Sequence, residues 1–257
     1  MNKIKIFIII IFLLLPLISW AQFDFLNELL SQDNTSDSDT EINLNSLSLF
    51  WSADTYTPFG YSGRTLPTRG SEVTVEALLS VSGSAPENLK YSWFLDDVFQ
   101  ESKSGYGRMS FDFRIRRFSG WTHKVSVQIF NENRSFFIER ELIIPIVDPE
   151  VVIYSLNSTS HFSDEGSTTS IIPAGKKSSF IAKPYFFSIN KLTDLSFEWR
   201  FGGYESTISS TYGANVLDLN INEKNDNKIL EQTLSVDIKN KTNSFQQVLK
   251  TIKVQIQ

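Results

Sequence analysis

One stretch of this chain is written twice, and that duplication constrains the fold more than any other feature. Leu89-Lys-Tyr-Ser-Trp93 matches Leu195-Ser-Phe-Glu-Trp199 at a spacing of 106 positions, Trp93 to Trp199. Tyr106-Gly107 and Tyr212-Gly213 keep that spacing. So do Phe111, Phe113 and Ile115 with Leu217, Leu219 and Ile221, and Asp112 with Asp218. After an insertion of three residues the spacing becomes 109: Val125-Ser-Val127-Gln-Ile129 aligns with Leu234-Ser-Val236-Asp-Ile238, and Ser135-Phe136 with Ser244-Phe245. Upstream, Gly70 and Ala77 match Gly175 and Ala182, and Trp51-Ser52 matches Tyr154-Ser155. Such a period is far longer than the ~20–50 residues of a solenoid unit and suits a duplicated domain. The expected domains are 46–147 and 148–257. Pro145 and Pro149 stiffen a short join between them, which limits their relative freedom.

Within each copy the apolar residues recur with period two. Val73, Val75 and Ala77 alternate with polar neighbours, as do Met109, Phe111, Phe113 and Ile115. Further runs are Val125, Val127 and Ile129, then Leu234, Val236 and Ile238, and finally Val248, Ile252, Val254 and Ile256. Short strands with one wet face, separated by Ser, Gly, Asn and Pro clusters, predict an all-β chain of two tandem antiparallel β-sandwiches. The 21 Phe, 8 Tyr and 5 Trp favour strands. Because the chain has no Cys, no disulfide can tie the layers together. Trp93 and Trp199 are expected at the two core centres. Burying one such ring removes ~150–250 Å² from water, at most about 4–6 kcal/mol.

The copies follow a different kind of text. Residues 1–21 carry Lys3 and Lys5, an aliphatic run from Ile6 to Ile18, and small residues Ser19 and Ala21 flanking Trp20. That is the layout of a secretory signal peptide, and its apolar run is short against the ~20 residues that span a bilayer. Segment 22–45 contains the acidic run 31–41 and reads as a flexible tether. The chain is therefore expected to be exported, whether secreted, periplasmic or held at the cell surface. Its formal charge is −5, and loss of Lys3 and Lys5 with the leader makes it more negative still. An acidic chain lacks the clustered cations that phosphate backbones require, which argues against nucleic-acid binding.

Phe197-Glu-Trp199-Arg-Phe201-Gly202-Gly203 resembles the Tyr-x-Trp-Asp-Phe-Gly-Asp-Gly signature of PKD-type immunoglobulin-like domains, and Tyr91-Ser-Trp93-Phe-Leu-Asp96-Asp97 is a weaker version. The first copy lacks the Phe-Gly pair and the second lacks the Asp. The resemblance implies immunoglobulin-like sandwiches on secreted or surface proteins that serve adhesion, spacing and polysaccharide contact.

No catalytic constellation accompanies this framework. Gly60-Tyr-Ser62-Gly63-Arg64 misses the nucleophile elbow at its last position. His123 and His161 are the chain's two histidines, and neither lies near an oriented acid in the sequence. Asp96-Asp97 reads as a turn with two solvated carboxylates, since strand neighbours point to opposite faces. Asp112 and Asp218 fall on matched wet faces. Gly202-Gly203 and Gly105-Tyr-Gly107 read as hairpin turns, not phosphate loops. No cofactor and no metal are expected.

Stretch 54–70, DTYTPFGYSGRTLPTRG, is the exception to the alternation. Tyr56, Phe59, Tyr61, Arg64 and Arg69 form the candidate ligand- or partner-binding set, because loops on a rigid sandwich carry binding. The competing reading folds this loop over the open end of the first domain, with its rings beside Trp51. The expected function is a non-catalytic protein for adhesion, scaffolding or partner binding, with protein or polysaccharide partners at the cell envelope. The alternative is a carbohydrate-binding module for cell-wall or extracellular polysaccharide.

Overall fold

A computed structural model describes residues 42–156, 168–173, 175–202, 204–205, 213–220 and 230–257. The leader, the tether up to residue 41, His161, Tyr212 and Ile221 lie outside the described residues. The described residues belong to one compact unit, Ile42–Gln257.

The first copy contributes β1 (Asn43–Ala53), β2 (Glu72–Ser82), β3 (Lys90–Leu95), β4 (Val98–Phe99), β5 (Gly105–Tyr106), β6 (Ser110–Arg114), β7 (Thr122–Phe130) and β8 (Phe137–Pro145). One sheet has the order β1-β2-β6; the facing sheet runs β4-β3-β7-β8, with β5 added against β3. The second copy contributes β9 (Glu150–Ser155), β10 (Thr169–Ile172), β11 (Lys177–Tyr185), β12 (Leu195–Phe201), β13 (Tyr204–Glu205), β14 (Val216–Asn220), β15 (Leu230–Asn240) and β16 (Gln247–Ile256). Its sheets are β9-β11-β14 and β10-β16-β15-β12-β13. Among the described residues the chain is all-β, in two tandem sandwiches of antiparallel strands. Only β10 against β16 pairs in parallel among the named strands.

The ladders repeat with the sequence. Trp93 stands opposite Val127 and Trp199 opposite Val236. Val75 faces Phe111, and Phe180 faces Leu217. Each tryptophan fills the centre of its core, at 0 % and 3 % exposure. Burial would orphan the indole N–H, so each Nε1 donates to a carbonyl: Trp93 to Arg108 at 2.8 Å, Trp199 to Ala214 at 3.1 Å. Trp93 also stacks on Phe111, with centroids 5.7 Å apart.

Several expectations shift by a residue or more. β1 begins at Asn43, inside the segment read as tether. Met109 lies just before β6 and is exposed. Trp51 stands opposite Val75 and Ser155 opposite Phe180, so Ser155, not Tyr154, is the counterpart of Trp51. Phe130 pairs with Phe137, but Lys239 pairs with Gln247. The second β-hairpin loop is thus one residue longer, and the counterpart of Phe136 is Gln246, not Phe245. Gly105 and Tyr106 form the short strand β5, and Gly107, at φ 64°, turns the chain after it.

Asp112 and Asp218 meet different partners. Asp112 faces solvent and pairs with Lys103 at 2.8 Å. Asp218 accepts the Ser179 hydroxyl at 2.6 Å and lies 2.9 Å from Lys177 Nζ. The Ser179 hydrogen bond, then Lys177, holds the Asp218 carboxyl below its ordinary value. A carboxyl so depressed stabilises the fold above its unfolded-state pKa, and that contribution fades as pH falls through the folded one. Asp218→Asn should therefore flatten the loss of stability below about pH 4, where carboxylates titrate. Urea denaturation at pH 7, 5, 4 and 3 checks this; parallel acid limbs for parent and variant would contradict it.

Candidate interaction surface at the junction of the two sandwiches

The 54–70 loop keeps contacts with the first sandwich, with Arg64 over Trp51, and also crosses to the second. In the second copy β10 lies along β16, and Gln257 N–H donates to the Ile172 carbonyl at 3.1 Å. In the first copy the equivalent pairing shrinks to one parallel bridge, Thr68 with Val147, and one bond, Val147 N–H to Pro67 at 3.0 Å. Two prolines and three glycines in this stretch deny it a ladder, which frees the rest to reach residues 185–188 and 240–246.

Tyr56 bridges Phe187 through the backbone: Tyr56 N–H donates to Phe187 O, and Phe186 N–H donates back to Tyr56 O, both at 2.7 Å. Phe186 sits in the left-handed region at φ 62°, a costly state for a bulky residue. Its amide is taken by Tyr56 and its carbonyl by the Thr68 hydroxyl at 3.0 Å. The strain is therefore maintained by the junction.

Beneath this lies a polar hub centred on the buried side chains of Thr68, Asn240 and Gln246. Gln246 Nε2 donates to the Thr68 hydroxyl at 2.7 Å and to the Ser188 hydroxyl at 3.1 Å. Its Oε1 accepts Ser188 N–H at 2.9 Å and Asn240 Nδ2 at 2.7 Å. Asn243 Nδ2 donates to the Arg69 carbonyl at 3.1 Å. Gly70, at φ 91°, passes so close to the Asn243 amide that a Cβ there would collide with it. The loss of a core ring at position 246 is what makes room for polar recognition between the copies.

The five candidate residues have distinct fates. Tyr61 packs edge-on to Tyr185 and Phe186, with centroids at 5.6 and 5.9 Å. Arg69 is inserted between two rings, 4.0 Å from Phe118 and 3.7 Å from Phe245. Tyr56 is half-buried at the bridge. Arg64 lies over Trp51 at 4.7 Å and is the one member of the set that approaches it. Phe59 is fully exposed. Tyr56, Tyr61 and Arg69 thus join the two sandwiches, Tyr61 with part of its ring still exposed, and Phe59 projects fully into solvent.

Beside the junction is a cluster that sequence reasoning missed. The β6–β7 loop presents Arg117, Phe118 and Trp121, which line a cavity of about 270 Å³. Phe118 and Trp121 are 62 % and 63 % exposed, and Phe245 is 59 % exposed. Arg117 is immobilised: one N–H donates to Thr122 O at 2.7 Å, and NH2 lies 2.9 Å from Asp96 Oδ2. Asp96 is not the solvated carboxylate expected. The turn places it and Asp97 at φ 51° and 67°, as in a tight hairpin. Its Oδ1 accepts Lys124 N–H at 3.1 Å, and its Oδ2 lies 2.7 Å from His123 Nδ1. His123 therefore does meet an oriented acid. Its ring is buried edge-on against Phe113, and Nε2 has no hydrogen-bond partner. Among the described residues nothing hydrogen-bonds that nitrogen, and Asp96 Oδ2, shared by His123 and Arg117, holds the guanidinium in place. The Arg-Arg-Phe-Ser-Gly-Trp run, 116–121, in which two rings follow two cations, is the signal that could have revealed it.

No protein-family model matches the sequence, and no curated protein matches it. Among solved structures the chain is similar to three N-terminal domains of the highly immunogenic outer capsid protein (Hoc) of bacteriophage RB49. Identity is 14 % and the TM-score 0.44, over 84 % of this chain and 59 % of that one. Immunoglobulin domains 1–4 of Sidekick-1 match at 11 % identity and a TM-score of 0.31, over 80 % of this chain and 49 % of that one. A third is the Bacteroides ovatus mixed-linkage glucan utilization locus protein SGBP-B, in complex with a mixed-linkage heptasaccharide. It matches at 13 % identity and a TM-score of 0.25, over 83 % of this chain and 47 % of that one. The chain thus spans less than two thirds of the length of each.

Proposed function

We propose that this protein is an exported, non-catalytic binding protein that presents two immunoglobulin-like sandwiches, of PKD type, as one fixed unit for adhesion or scaffolding at a cell envelope. The domains are 46–147 and 148–257, preceded by a signal peptide and a tether. The observation that carries this is the junction: the 54–70 loop is spent on locking the sandwiches together, and exposed rings remain on loops at that lock. Rigid scaffolds with aromatic loops are built for recognition. Among the described residues no helix is long and apolar enough to cross a membrane, and no three His, Asp or Glu gather as metal ligands.

Retention of the full chain on envelope material from its own cells tests the reading; a parent chain that is not retained overturns it. Phe59→Ala should lower retention several-fold and leave stability within about 0.5 kcal/mol, because the ring touches nothing. Tyr61→Ala should instead cost about 1–2 kcal/mol in thermal or urea unfolding, since it removes two edge-on ring contacts. Equal retention by Phe59→Ala would remove that ring from the binding surface.

A further inference from the structure

We propose that the cleft of Arg117, Phe118 and Trp121, continued by Arg69 and Phe245 onto the second sandwich, binds a neutral polysaccharide chain. This rests on the reading of the protein as a binding module and names the ligand class.

The depression, about 270 Å³ and open to solvent, falls just below the ~300–1,000 Å³ typical of ligand sites. It suits one small ring at a time. Its walls are two exposed aromatic faces, which cover the C–H faces of a pyranose, and a guanidinium, whose N–H groups meet hydroxyl oxygens. The guanidinium is preorganised through Thr122 O and Asp96, and Asp96 in turn through His123 and Lys124 N–H. A group already held in place loses little freedom on binding.

The row continues past the cavity. Arg69 lies 4.0 Å from Phe118 and 3.7 Å from Phe245, so the two rings are held close across the junction. A single sugar would not use Phe245; a chain would. The ligand is therefore a polymer, and its site is complete only when both sandwiches are locked.

Charge decides between neutral and acidic polymers. The row's two guanidiniums, Arg117 and Arg69, stand against two carboxylates, Asp96 at 2.9 Å from Arg117 and Asp148, which accepts the hydroxyl of Ser119 in the β6–β7 loop at 2.7 Å, and the chain carries a net −5. Little positive potential is left to draw a polyanion. Size decides against a protein partner: the row rests on five side chains, whereas a specific protein interface engages about 20–30 residues a side.

The test is affinity electrophoresis of the intact chain through gels containing a soluble glucan, mannan, xylan or galactan, with a polygalacturonate gel as the acidic arm. At least one neutral polymer should retard the parent. Trp121→Ala should weaken that retardation about tenfold or more, while its circular dichroism spectrum and unfolding midpoint stay those of the parent. Phe245→Ala should weaken binding of the polymer and leave binding of the corresponding disaccharide unchanged. Equal retardation of parent and Trp121→Ala overturns the proposal, as does retention by polygalacturonate alone. Retention by none of these polymers, with envelope material still captured, also overturns it and leaves the binding reading standing. Loss of both would end the two together.

Discussion

Trp93→Ala is expected to cost about 3–5 kcal/mol of stability, the largest effect of any single truncation in the first sandwich. The ring is completely buried, stacks on Phe111 and stands opposite Val127 between the sheets. No disulfide backs it up, because the chain has no Cys. Truncation leaves a cavity, and it also strips the Arg108 carbonyl of its indole donor. Trp93→Phe separates these contributions: it retains a ring and loses the donor, so it should fall between parent and Ala. Trp199→Ala should show a loss of the same class in the second sandwich, where Ala214 is the carbonyl left unpaired. Urea denaturation followed by circular dichroism measures each. A Trp93→Ala midpoint close to the parent's would mean that ring burial is not what joins the layers.

Gln246→Ala should be the most damaging change at the junction, at about 2–4 kcal/mol, and its signature should be uncoupling. The side chain is buried and serves both sandwiches. Without it the Ser188 N–H loses its acceptor and the Asn240 amide keeps only the Ser188 carbonyl, and each buried polar group left unpaired costs about 1–3 kcal/mol. In the parent, the two sandwiches should unfold in one transition. In the variant, two transitions should separate, and ¹⁵N relaxation should show each sandwich tumbling faster than the parent unit. A single transition, with relaxation like the parent's, would show that the hub is dispensable and that Arg69, between Phe118 and Phe245, is enough.

The candidate site was less legible than the fold, and the residues show why. Phe136 and Phe245 look equivalent in the sequence, each preceded by Ser. One extra residue in the second loop moves the true counterpart of Phe136 to Gln246. That shift turns a core ring into a polar hub and leaves Phe245 outside to stack on Arg69. Nothing local distinguishes the two outcomes. Asp96 and His123 are likewise 27 positions apart, and only the pairing of β3 with β7 makes them neighbours. The binding set drawn from 54–70 was the part of the site that sequence could suggest, because a break in alternation marks a loop. It could not say that most of that loop would be used internally.

Period-two alternation, the spacing of Trp93 and Trp199 and the absence of Cys were enough to determine two all-β sandwiches with aromatic centres. Those signals are local and are written twice, so each copy checks the other. How the copies meet was decided by tertiary structure alone. Thr68 reaches the Phe186 carbonyl across 118 positions and the Gln246 amide across 178. Contacts at such separations depend on where whole sheets end, and no periodicity within a strand encodes that.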